Sequence, residues 1–171
     1  SWFSLNSDGS RESLIKIDAG GYRNPSTPET LKEKVVDEYG NIRTDEHGYM
    51  NGADVFNFVL REIPKDLKNL FKTAGKEIGD MDYYLLHQAN RFMNDYLTKK
   101  MKLDSGKVPE SISKFGNTSS VSIPLTMVQN LQGKLDEPQE CLLAGFGVGM
   151  SWASTIMPFK ECFISELQEV D

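Results

Sequence analysis

Two short motifs constrain this chain more than its composition does. Leu85-Leu86-His87-Gln88-Ala89-Asn90 closes an apolar run with an imidazole, and Phe115-Gly116-Asn117-Thr118-Ser119-Ser120 follows thirty residues later. Each reads as a strand end opening onto a helix, the position at which α/β folds present reactive groups. Neighbouring strands lie about 4.8 Å apart, so equivalent loop positions on successive β-α units can converge on one ligand. An imidazole and a carboxamide set there as paired donors polarise a carbonyl oxygen and stabilise the negative charge that develops on it. Taken singly, each residue also has a plainer reading, as a satisfied structural histidine or a helix-capping amide.

The rest of the chain supplies the frame for such a pair. Residues 11–17 carry Leu14, Ile15 and Ile17 and read as a strand after the Asp8-Gly9 turn, while residues 20–49 form a long polar loop rich in turn residues. Val55, Phe56, Val59, Leu60 and Ile63 recur at helical spacing after Met50-Asn51-Gly52. Pro64 is expected to interrupt that helix before Leu67, Leu70 and Phe71 resume the stripe and Gly75 and Gly79 end it. Asp82 to His87 is a short buried strand, and Asn90 caps a helix faced by Phe92, Met93, Tyr96, Leu97 and Met101. Ile112–Phe115 reads as a strand. A helix then runs through Ile123 to Leu131, and two closing strands, Glu140–Phe146 and Met150–Met157, flank Gly147-Val148-Gly149. The order is β, long loop, α, β, α, β, α, β, β, which predicts a single layered α/β domain with a mixed central sheet.

Composition narrows the function. With 171 residues and 39% hydrophobic content the chain has the apolar material for one core, and no run approaches the roughly 18 apolar residues of a membrane span. A net charge of −6 argues against a nucleic-acid or anionic-membrane surface. Between Arg91 and Lys114, however, six basic residues face three acidic ones. That stretch reads either as a solvated helix face or as a docking patch for an acidic partner beside His87. Cys141 and Cys162 are too few and too far apart for a disulfide framework, and their context suggests a reducing compartment. Cys141 reads as a small buried hydrophobe and Cys162 as part of a charged tail at 160–171. The two histidines, His47 and His87, lack ligand-spaced partners, so no metal site is expected.

Gly145-Phe146-Gly147-Val148-Gly149 does not read as a dinucleotide cradle, because Met150 onward continues as a strand rather than a helix. It reads as a tight strand connection, either a plain glycine hairpin or a place where a substrate approaches the backbone near Val148. No Gly-x-Ser-x-Gly elbow is present, which argues against that class of hydrolase.

Together, His87-Gln88-Ala89-Asn90, Gly116-Asn117-Thr118-Ser119-Ser120 and Gly145-Phe146-Gly147-Val148-Gly149-Met150-Ser151-Trp152 resemble the C-terminal half of the β-ketoacyl-acyl-carrier-protein synthase III family, within the thiolase-like superfamily. Met50-Asn51-Gly52 through Phe56 and the Ser7-Asp8-Gly9-Ser10 turn add to the resemblance, which spans roughly residues 5–159. It implies a thiolase-like C-terminal domain in which His87 and Asn117 donate hydrogen bonds to a malonyl thioester carbonyl during decarboxylation. The backbone of Gly147, Val148 and Gly149 would line an oxyanion hole, and Asn90 would contact substrate. Arg91, Lys99 and Lys100 would dock an acyl carrier protein. Arg91 directly follows the His-Gln-Ala-Asn run and Phe92 takes the next place, so the docking arginine is displaced by one position. Val148 stands where a glycine is common, which narrows the pocket.

The resemblance also implies acyl-coenzyme A and malonyl-carrier-protein substrates, no cofactor, a cytoplasmic setting and a homodimer in the complete enzyme. The nucleophilic cysteine belongs to an N-terminal half outside these 171 residues, and neither Cys141 nor Cys162 stands in its motif. The start at Ser1 without an initiator Met fits a piece cut from a longer chain. The alternatives are an acyltransferase of a specialised lipid or polysaccharide pathway and a non-catalytic binding or dimerisation module.

Overall fold

A computed structural model describes residues 1–168; residues 169–171, the end of the expected tail, lie outside the described residues. One four-stranded sheet organises the chain. Its strands are β1 (Trp2–Ser7), β6 (Tyr83–Leu86), β7 (Gln139–Gly147) and β8 (Ser151–Phe159), in the spatial order β1-β8-β7-β6. β6 runs parallel to β7, and the other pairs are antiparallel, so the sheet is mixed as expected. Two short ribbons, β2 (Ile15–Lys16) with β5 (Tyr49–Met50) and β3 (Lys34–Val35) with β4 (Ile42–Arg43), give the 20–49 segment a little order of its own.

Both faces of the sheet are covered. On one lie α1 (Gly52–Ala74) and α2 (Arg91–Met101), with Phe58, Val59, Ile63, Leu67 and Leu97 packed among Tyr84, Leu86, Leu142 and Ile156. On the other lies α4 (Ser122–Asn130), whose Ile123 and Met127 join Leu85, Leu131, Leu135 and Cys141. β6 serves both layers because a strand alternates its side chains: Leu86 faces α1 and Leu85 faces α4. Burial pushes the Cys141 thiol up to about 12, the behaviour of an inert core cysteine.

Four expectations are corrected. First, α1 passes through Pro64 without a break. Proline costs the helix one hydrogen bond, but the apolar stripe stays in register on both sides of it. Two residues on, buried Asp66 accepts hydrogen bonds from Ser4, Asn6 (2.8 Å) and Ser154, so strands β1 and β8 grip the helix beyond the proline. Asn51 caps its start through Asp54, and Gly75, in the left-handed region at φ 62°, ends it. Second, the strand expected over 11–17 shrinks to Ile15–Lys16. Asp8 accepts from the Ser10 backbone and hydroxyl and pairs with Arg11 at 2.7 Å, which winds Gly9–Leu14 into 3-10 turns. The Ser10 hydroxyl, then the Arg11 guanidinium, hold the Asp8 carboxyl below its usual range.

Third, β1 was not expected. Its inward residues, Ser4 and Asn6, are polar because they serve Asp66, while Phe3 and Leu5 point outward, 66% and 79% exposed. Fourth, Ile112–Phe115 is a short helix, α3, rather than a strand. Ser111 and Ile112 carbonyls accept from Phe115 and Gly116 at 3.0 and 2.9 Å, bonds that close one helical turn where a strand would reach for a neighbour.

Candidate active site

His87 follows directly on β6, and its backbone N–H continues the ladder to Ala144 on β7 at 2.8 Å. The ring is therefore positioned by the central sheet. Its Nδ1 lies 2.6 Å from the Ser122 hydroxyl at the start of α4, and Phe146 on β7 meets it edge to face with centroids 5.2 Å apart. Burial lowers the pKa of His87, so the neutral imidazole is favoured near pH 7.

Asn117 reaches the same place by a different route. It leaves α3 through Gly116, whose backbone (φ 69°, ψ −160°) is one that side chains resist. It is exposed, and its Oδ1 accepts from the Ser119 N–H at 2.9 Å. That bond turns the carboxamide so that the oxygen is occupied locally and Nδ2 remains as a donor. The expected β-α unit behind Asn117 is absent, since the element there is a helix.

A cleft of about 630 Å³ brings His87 and Asn117 together, with Asn90, Met93, Phe146 and Val148 also on its walls. The glycine run forms the hairpin between β7 and β8, as expected, with Val148 64% exposed at the tip. Gly149 has no room for a side chain: at φ 136° an added Cβ would sit 2.8 Å from the Ser151 nitrogen. Asp8 anchors the hairpin by exchanging backbone hydrogen bonds with Met150 at 2.8 and 3.1 Å, a link that sequence patterning does not reveal. Gly147 and Val148 line the cleft. Asn90 reaches it as well, though its Oδ1 caps α2 through Phe92 N–H at 2.8 Å.

The docking residues do not share one surface. Arg91 and Lys100 are nine residues apart on α2 and so occupy opposite sides of it. Lys100 and Tyr96 line an open groove of about 550 Å³ against α1, which adds Arg61, Lys65 and Lys68, three cations absent from the sequence-based patch. Arg91 instead borders a small recess with Asn94, Asp95 and Glu110. Lys99 is exposed, and both it and Lys100 lie in the last turn of α2, where a cation also complements the helix dipole. At the lip between α1 and α2, Phe92 stacks on Phe56 with centroids 5.6 Å apart.

Sequence reasoning missed the polar residues behind His87. Gln88, Ser111, Ser122 and Thr126 are all essentially buried, at 0–1% exposure, and are linked to one another. Gln88 donates from Nε2 to the Leu86 carbonyl at 2.8 Å and accepts from the Ser111 N–H at 3.2 Å. Ser111 and Thr126 share a 2.7 Å hydroxyl contact, and Thr126 donates to the Ser122 carbonyl at 2.7 Å. The available signal was the place of Gln88 beside His87 in the motif. Among the described residues no three His, Cys, Asp or Glu side chains gather as a metal site, and no helix is long and apolar enough to cross a membrane.

Known proteins share this sequence and fold. Residues 71–159 match the family described as 3-oxoacyl-[acyl-carrier-protein (ACP)] synthase III C terminal. A β-ketoacyl-[acyl-carrier-protein] synthase III from Streptococcus agalactiae is 36% identical over 157 residues, covering 90% of this chain and 45% of that protein. The solved 3-oxoacyl-(acyl-carrier protein) synthase of Burkholderia xenovorans superposes with a TM-score of 0.83 at 32% identity, covering 96% of this chain and 46% of that one. A further 3-oxoacyl-(acyl-carrier-protein) synthase III structure has the same TM-score at 42% identity over 91% of this chain and 46% of its own. The chain thus spans about half the length of the relatives it matches.

Proposed function

This chain belongs to the 3-oxoacyl-[acyl-carrier-protein (ACP)] synthase III C-terminal family, and on that premise we propose that it is the second half of a condensing enzyme. That enzyme joins an acyl group, received from acyl-coenzyme A, to malonyl-acyl carrier protein with loss of CO₂. The observation that carries the reading is the convergence of His87 and Asn117 on one cleft beside the Val148 hairpin. Breaking the C–CO₂⁻ bond of the malonyl thioester pushes its electron pair into an enolate whose charge rests on the thioester oxygen. Two neutral donors aimed at that oxygen stabilise the charge without giving up a proton. The carbanion then attacks the acyl thioester carried by a cysteine of the other half, and the thiolate leaves. The backbone of the hairpin accommodates the oxyanion formed in that step.

Acyl carrier protein is the proposed acidic partner, docking across α2. The groove cations Arg61, Lys65, Lys68 and Lys100 fit that role better than Arg91, because they cluster on one surface. The complete enzyme is proposed to act in the cytoplasm as a homodimer in fatty-acid initiation, with no cofactor.

The test is decarboxylation of malonyl thioester by the complete enzyme. His87→Ala and Asn117→Ala should each slow it by about 10²–10³-fold, the usual effect of removing one oxyanion donor, while acylation by acyl-coenzyme A persists. Unchanged decarboxylation in both variants would refute the assignment. The 171-residue chain alone should form neither an acyl-enzyme nor ketoacyl product.

A further inference from the structure

Four buried side chains stand behind the cleft, and their hydrogen bonds can be assigned proton by proton. Thr126 Oγ1 spends its proton on the Ser122 carbonyl, so in its 2.7 Å contact with Ser111 it must accept. The Ser122 hydroxyl accepts the Gln88 backbone N–H at 3.3 Å and lies 2.6 Å from His87 Nδ1. A Ser122 proton donated to Nδ1 leaves the hydroxyl, the Gln88 N–H and the ring nitrogen each with a partner, whereas an Nδ1–H donated to the hydroxyl leaves the Ser122 proton without one of these acceptors.

We propose that Ser122 is the positioning residue that holds His87 as the neutral Nε2–H tautomer, so that the ring can present only a donor to the cleft. The two ring nitrogens of a neutral imidazole have opposite roles, and the partner of one decides the role of the other. An Nδ1 that accepts from Ser122 leaves the proton on Nε2, which is the nitrogen not engaged with α4. The reverse tautomer would take Nδ1 away as an acceptor for the Ser122 proton and present a bare acceptor to the cleft, where it would repel a carbonyl oxygen. Gln88 keeps the arrangement from relaxing, because its own backbone N–H occupies the Ser122 oxygen and its side chain holds Ser111 just ahead of α3. Ser122 itself touches no substrate in this scheme. The inference deepens the proposed role of His87 and rests on that reading for its functional meaning, though not for its test.

The test is long-range ¹H–¹⁵N correlation spectroscopy of the protein labelled with ¹⁵N-histidine. These 171 residues carry two histidines, and the His87 signals of the complete enzyme are identified by their loss in His87→Gln. In the wild type His87 should show a protonated Nε2 and an unprotonated Nδ1 at neutral pH. Ser122→Ala should raise the Nδ1–H population about tenfold, the factor one net hydrogen bond is worth, and Ser122→Thr, which keeps the hydroxyl, should restore the wild-type pattern. A wild-type ring protonated on Nδ1, or a ratio unchanged by Ser122→Ala, would overturn the proposal. If Ser122→Ala gives no folded amide spectrum, Ser122→Cys, whose thiol is a weak donor, is read by the same criterion. No thioester enters the measurement, so its failure and a failure of the decarboxylation assay are separate results.

Discussion

His87 and Asn117 face one cleft but are held in contrasting ways. His87 continues a central strand, is half-buried and is backed by a fully hydrogen-bonded set of buried side chains. Asn117 is exposed, follows a four-residue helix and is held by a single local bond to Ser119. The comparison teaches that the sheet supplies precision to one donor, whereas turn geometry supplies it to the other. Binding can therefore adjust Asn117 more cheaply than His87.

The sharpest way to break this contrast is to remove the support behind His87. Gln88→Ala should destabilise the fold by about 3 kcal/mol in urea unfolding, because it opens a cavity and strands the Ser111 N–H and the Leu86 carbonyl. A loss below about 1 kcal/mol would show that the buried set is dispensable. On the other side, Gly116→Ala should cost about 2 kcal/mol. The cost is one of backbone strain alone, since an added Cβ has open space around it. Its effect on decarboxylation by the complete enzyme should match that of Asn117→Ala, since the strain is relieved by moving Asn117.

A pH titration sharpens the comparison further. Burial lowers the folded pKa of His87 below the unfolded value of 6.5, so the unfolded chain takes up the proton first as pH falls. The stabilisation is complete above about pH 6.5 and is lost as pH drops from there through the folded pKa. Solvent screening of a half-buried ring keeps the effect under about 1 kcal/mol. It should appear as the difference between wild type and His87→Gln in thermal unfolding over that window, and parallel curves would count against it. The smallest expected effect is that of Asn117→Ala on stability, about 0.5 kcal/mol by denaturant midpoint, even though the same change removes a proposed catalytic donor.

Much of the frame was legible in order. The apolar run before His87, the capping Asn90, the stripe of α1 and the closing strands all appear as read, because each signal is local and repeats at the period of its element. The site was legible as two motifs, yet the unit behind Asn117 was misread. Four residues between a serine and a glycine carry too short a pattern to separate a strand from one turn of helix. The strand β1 failed for the opposite reason: its alternation is clear but inverted, with Ser4 and Asn6 inward to serve Asp66.

Sequence by itself determined the family, much of the sheet-and-helix order and the two residues that face one cleft, since all of these reside in contiguous motifs. Only tertiary structure decided that α1 survives Pro64, that the cations of α1 join Lys100, and that Ser122 meets His87 across 35 residues. The physical reason is common to all three. Each depends on a hydrogen bond or a surface shared between elements distant in the chain, and such a partner leaves no periodic trace in either segment alone.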